Sequence, residues 1–559
     1  MRKSVAVLLF FLMFSFKLTW GITGEVLSSF PTPGPCPTGL SYDGKYLWIA
    51  DHKTDSLYQV DPLNGKVVYG FPSPGFRPDG LAWDWRNLWT LDLEENLIFQ
   101  LDSKSGLALK TISAPTSNPK GLAWDGKYLW VADDRARQIN KISTDDGTTI
   151  ITIPSPATSP QGLAYDGKYL WVSDRISDMI FMITPEKGDV ILAFPSPNAY
   201  ARGLAWDGKY LWNVDYQSDS VYKIKIDDDQ TFSRKDEKNQ SLEYTYEFRN
   251  YGPGEIKDLD IYLAIPEDLD NQKLLSPVEF SPEPNDILTD RWGQKMAHFE
   301  FQNLESTQFV RCAMKAFAKL YKTDYFIFPE KVGKLQDIPK EIKNRYLVDD
   351  DKYSIHHPFI QKSAKEAVGE EKNPYWIARK IYNYVLSKME YELSGGWNIA
   401  PTVLMRGTGS CSEYSFVYIA LCRASGLPAR YVGSVAIRGD DASLDDVFHR
   451  WCEVYLPNYG WIPVDPSGGD SPSPWDQGRY FGHLANRYLI TTVSGGGSEY
   501  LGWSYNSSEK WTSLGKCKIY TENIGEWSPL SPSEISKMED LESRKTGGTA
   551  QSDIDETIF

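Results

Sequence analysis

One tryptophan recurs at a fixed step. Trp48, Trp89, Trp130, Trp171 and Trp212 stand 41 residues apart, and Gly39, Gly80, Gly121, Gly162 and Gly203 keep the same step. A period of this length means one supersecondary unit stacked on copies of itself. Each copy reads Gly-Leu, an aromatic followed by Asp, usually Gly-Lys-Tyr-Leu-Trp, then a short run ending in Asp, as in residues 121–133. A third alternating run (56–61) and a fourth (66–72) follow. About four strands per period is the size of a propeller blade, and a solenoid repeat would lack that strand count.

The ends of the repeat are offset. The chain enters on a fourth-type strand, 25–31, and leaves after a third-type strand, 221–224. Together these predict one composite blade, with the N-terminal strand closing a five-bladed ring; blades unrecognised elsewhere would raise the number. The recurrent Asp51, Asp92, Asp133, Asp174 and Asp215 admit two readings, a ring of ligands or turn residues bonded to the backbone, and turn chemistry favours the second. The ring as a whole is expected to offer a binding face for a protein or carbohydrate ligand.

Chemistry enters further along. In Gly409-Ser410-Cys411-Ser412-Glu413, Ser410 reads as an N-cap and Glu413 completes a capping-box pattern for a helix ended by Gly426 and Pro428. Cys411 then sits in the first turn, where the helix dipole and unpaired N–H groups favour thiolate over thiol. His449 lies in an alternating run, 447–455, and Asp465 ends a second short strand after the Pro457-Asn458-Tyr459-Gly460 turn. Adjacent antiparallel strands can bring an imidazole and a carboxylate together. A thiolate to attack a carbonyl, an imidazole to keep it ionised and protonate the leaving amine, and a carboxylate to fix the tautomer form a nucleophilic triad. The competing readings are a small buried Cys, a satisfied strand His and a turn Asp.

These segments, with Cys422-Arg423-Ala424-Ser425-Gly426-Leu427-Pro428-Ala429-Arg430, resemble the transglutaminase-like core over roughly residues 346 to 500. The resemblance implies a papain-like α+β fold with catalytic Cys411, His449 and Asp465, and a thioester formed from a peptide or protein amide. Water would resolve it in a peptidase or amidase, the favoured outcome; an amine would resolve it in a protein-glutamine acyltransferase. For the oxyanion, the Cys411 N–H is a natural donor by position, and Trp397 is a candidate second donor. The repeats are similar to those of NHL and YncE-like propellers. A propeller-based binding or scaffold protein with an inactive core is the remaining alternative.

The other features bound this picture. The net charge of −16 lacks the phosphate-binding footprint of a nucleic-acid partner. Residues 1–21 read as a signal peptide, with Arg2 and Lys3 before an apolar run too short to span a bilayer comfortably. A secreted or extracytoplasmic, cell-envelope protein with no stable membrane span after cleavage is therefore expected; an uncleaved anchor is the alternative. Six cysteines at 36, 312, 411, 422, 452 and 517 form no CxxC or Cys/His cluster, so neither a structural metal, a cofactor nor an obligatory disulfide framework is expected. The His356-His357 pair and His483 are expected to be structural. The expected organisation is a propeller over 22–228, a linker and β-sandwich over 229–345, the catalytic domain over 346–527 and a disordered tail over 528–559.

Overall fold

The computed structural model describes residues 22–226, 230–393, 397–437, 444–445 and 448–547. The expected signal segment, Asp227–Asp229 and the last twelve residues of the expected tail lie outside them. Five four-stranded antiparallel sheets form propeller-like blades, one per repeat. The first runs outward through Pro37–Tyr42, Leu47–Asp51, Ser56–Val60 and Val67–Pro72. The last combines Ala201–Trp206, Leu211–Asp215 and Ser220–Ile224 with Val26–Pro31, the composite blade that the offset predicts.

The repeated residues explain the repeat. Each blade tryptophan is buried, and its indole N–H donates to the Asp five residues earlier, from Trp48 to Asp43 at 3.0 Å through Trp212 to Asp207 at 2.8 Å. The recurrent glycine lets neighbouring inner strands touch: a Cβ on Gly39 would lie 2.1 Å from the Asp79 carbonyl oxygen. The same contact between Gly203 and Leu40, at 2.4 Å from its N, closes the ring. The recurrent aspartates hold turns. Asp51 accepts N–H groups from Thr54 and Cys36, and Asp174 those from Ile176, Ser177 and Ser159.

Residues 230–345 depart from expectation. In place of a sandwich of two sheets there is one continuous sheet, curled as a half-barrel around the 33-residue strand Phe232–Ala264. Phe309–Tyr325 pairs with its first half, Lys295–Leu304 with its second, and Ser507–Pro529 with its other edge. The polar run to Asn239, expected as linker, is already strand from Phe232. Its ladder partners, from Tyr325 opposite Phe232 to Lys319 opposite Asn239, lie eighty residues or more along the chain, which local composition does not register. The expected tail is likewise corrected in part: the strand runs to Pro529 and a helix spans Pro532–Gly547, with Glu539 2.8 Å from Lys319.

The α+β core packs helices Pro358–Val368, Pro374–Lys388 and Cys411–Ala424 with a four-stranded sheet. In that sheet the order is Gly460–Val464, Phe448–Leu456, Ala429–Ala436, Tyr488–Ser494. Asn373 caps the second helix by accepting from Tyr375 N at 2.9 Å, and Ile377, Ile381, Val385 and Met389 form its buried stripe. His357 caps the first helix through Nδ1, and His483 ties to Asp324 at 2.6 Å. The hydrophobic core is continuous between propeller and core domain, from Trp171, Phe194 and Leu204 through Phe326 to Val417. Trp475 adds an edge-on contact with Phe181, centroids 5.1 Å apart. Among the described residues no helix is long and apolar enough to cross a membrane.

Candidate active site

Cys411 is the first residue of the Cys411–Ala424 helix, after the N-cap Ser410. The capping box is closed, and the buried Glu413 does more than cap: it accepts from Ser410 N at 3.3 Å and Asn398 N at 3.1 Å, and pairs with Arg406 at 2.7 Å. One carboxylate thus fixes both the helix start and the loop that carries Trp397.

The neighbouring strands bring the other two groups in. Cys452 faces Val464 in the hairpin register, which puts His449 and Asp465 near its open end. His449 Nε2 lies 2.7 Å from Asp465 Oδ2. The opposite oxygen of Asp465 accepts from Ser467 Oγ at 2.7 Å and Gly468 N at 3.0 Å. His449 also acts on the Cys411 thiol, favouring its thiolate form. The structure therefore gathers all three sequence-predicted residues.

The charges are poised in one direction. Burial pushes the Cys411 thiol up, but the hydrogen bond and charge of His449 and the backbone N–H and charge of Arg450 outweigh it, leaving the thiol below its ordinary value. Burial disfavours the His449 cation, yet Asp465 holds it well above its usual range. Asp465, opposed by its own burial, is held low by His449 and its turn donors. The other buried cysteines show burial acting with little opposition: Cys312 is pushed up to about 12, and Cys422 and Cys452 are also raised. All six cysteines are free.

Trp397 lies against Arg450, 5.0 Å from guanidinium to ring, and 6.4 Å from the Tyr505 ring. Both neighbours act on Cys411 or feel its charge. Arg450 is the residue that the sequence reading missed. It is fully buried, with its guanidinium among Trp397, Phe416, Tyr431 and Tyr505, and it helps to hold the Cys411 thiol below its ordinary value. Its place beside His449 on an alternating strand put its side chain opposite the imidazole, the one available signal. Tyr488 stacks on the other face of the site, 5.6 Å from the His449 ring.

Among the described residues one group has metal-ligating geometry, Asp260, His298 and Glu300. It lies on half-barrel strands that contribute nothing to the triad, and His298 Nε2 is bonded to Asp260 at 2.7 Å.

Residues 361–466 match the family model of the transglutaminase-like superfamily core, a span that holds Cys411, His449 and Asp465. An uncharacterized Haemophilus influenzae protein is 27% identical over 156 residues, 23% of this chain and 42% of that one. The uncharacterized Bacillus subtilis protein YebA is 34% identical over 71 residues, 11% of this chain and 10% of that one. The chain thus spans less than half the length of either relative. A candidate cysteine protease from Cytophaga hutchinsonii aligns over 53% of this chain and 100% of its own, at 14% identity and TM-score 0.38. Virginiamycin B lyase from Staphylococcus aureus aligns over 36% of this chain and 99% of its own, at 15% identity and TM-score 0.26.

Proposed function

From the transglutaminase-like core at residues 361–466, we propose that the protein is an exported thiol enzyme of papain-like design acting on peptide or protein amides, with Cys411 as nucleophile. The observation that carries this reading is a single imidazole, His449, bonded to Asp465 at 2.7 Å and favouring the thiolate of Cys411. The Cys411 thiolate attacks the amide carbonyl carbon, and the carbon–oxygen π electrons move to oxygen. The Cys411 N–H and the Trp397 indole N–H are the proposed donors to that oxyanion. As the tetrahedral intermediate collapses, the C–N bond breaks and His449 gives its proton to the leaving amine. A thioester remains.

Water then attacks the thioester, giving a proton to His449, and the carboxylic acid leaves with the thiolate restored. Asp465 keeps the imidazole oriented throughout. The expected export segment at residues 1–21 supports an extracytoplasmic place of action.

The test offers a glutamine-containing peptide together with a biotinylated amine. The hydrolase reading predicts ammonia or peptide release with a free acid, a trapped acyl-Cys411 adduct by mass spectrometry, and loss of both in Cys411→Ala. Incorporation of the amine instead would make the protein a cross-linking transferase. Turnover unchanged in Cys411→Ala would refute the thiol mechanism.

A further inference from the structure

Five copies of one repeat make an internal alignment, and one position in it stands out of line. In the turn after the inner strand, four copies carry Gly44, Gly126, Gly167 and Gly208, with φ of 96°, 101°, 100° and 95°. The second copy carries Trp85, with φ of 71°. That left-handed conformation is natural for glycine and unfavourable for a bulky side chain. Burial does not offset it, because Trp85 is 72% exposed. The fold asks for glycine here, and the chain keeps the most exposed tryptophan among the described residues.

What Trp85 does in the structure is extend a wall. It stands edge-on to Trp124, centroids 6.1 Å apart, and its ring covers Gly126. With Tyr42, Trp83, Trp124, Tyr165 and Trp206, the last residues of the five inner strands, it lines an open cavity of about 480 Å³ at one mouth of the propeller axis. These five rings are half-buried. Ser41 and Tyr42 add hydroxyls to the same wall.

The carboxylates of Asp43 and Asp84 in these turns are engaged by the propeller itself. The carboxylate of Asp43 accepts from Lys45 N, Tyr46 N, the Trp48 indole and Gln59, and that of Asp84 from Arg86 N, Asn87 N, the Trp89 indole and Gln100. Lys45, Lys127 and Lys209 lie over the tyrosine of their own turn. The mouth therefore selects by aromatic face and hydroxyl, not by charge.

We propose that this mouth is a binding site for a neutral saccharide, with Trp85 stacking on the C–H face of a pyranose ring. A sugar presents both an apolar ring face and a hydroxyl edge, which matches a wall of half-exposed rings and hydroxyls. The site is independent of Cys411 and would hold the enzyme on a glycan.

Trp85→Gly restores the residue that the other four copies carry, so the variant keeps its fold and its melting temperature does not fall. The full chain is screened on an array of neutral oligosaccharides that includes glucose and N-acetylglucosamine trimers, and the best binder is titrated by tryptophan fluorescence. Saturable binding weakened about tenfold or more in Trp85→Gly is expected. Three outcomes overturn the proposal: no neutral oligosaccharide binding, equal binding by Trp85→Gly, or Trp85-dependent binding of phenyltrimethylammonium in place of sugars, which would make the mouth a cation cage.

Discussion

Cys312, Cys422 and Cys452 show what Cys411 would be without its neighbours, a small buried thiol held protonated. What separates Cys411 is the influence of His449 and Arg450 and a helix start. The paired shifts fix the sign of the pH response. The Cys411 value is depressed, so the thiolate is present above it and is lost only as pH falls through it. The His449 value is raised, so the imidazolium, and the stability it contributes, is fully present below the ordinary value of about 6.5 and is lost as pH rises through the raised one. Activity should therefore plateau where both are charged. Asp465→Asn removes the group that raises His449 and fixes its tautomer; kcat on a peptide amide should fall roughly 10²- to 10⁴-fold, and steady-state kinetics check it. The proposed site residues Cys411, His449 and Asp465 were legible in the sequence because each sits on or beside an element with its own signal. Arg450 was not, because the cage that buries it comes from residues 397, 416, 431 and 505 and exists only in three dimensions.

At the scale of elements, the helix Cys411–Ala424 depends on its second acid. Glu413 is wholly buried and joins Ser410, Asn398 and Arg406, so Glu413→Ala should cost about 2–3 kcal/mol, discounted because Arg406 is partly exposed. Chemical denaturation measures that loss, and Cys411 alkylation should slow in the same variant as the helix start loosens. Elements with a repeated or capped signal were readable: the blade strands and the helix that starts at Cys411. The strand Ser507–Pro529 was not, since its side chains are mostly exposed and give no apolar alternation to detect. Its pairing with Phe232–Ala264 comes from the backbone ladder, which any sequence without proline in the wrong place can form. The same reason turned an expected sandwich into a single curled sheet.

For the whole molecule, the ring closes through one short N-terminal strand. Phe30 on that strand packs on Trp212, centroids 6.2 Å apart, so Phe30→Ala should cost roughly 3 kcal/mol and make the last blade the first site of limited proteolysis. An equally resistant last blade would mean that closure does not rest on this strand. The propeller shares one hydrophobic cluster with the core, while the half-barrel joins residues 232–264 to 507–529 around the transglutaminase-like insertion. The proposed chemistry stands on the state of one thiol. The most direct measurement is the pH dependence of Cys411 alkylation, read by peptide mass spectrometry on the intact protein and on His449→Ala. An activated thiolate should react well below the free-cysteine value of about 8.5 and lose that advantage without the imidazole; an accessible Cys411 that titrates as an ordinary thiol in both proteins would contradict the catalytic assignment.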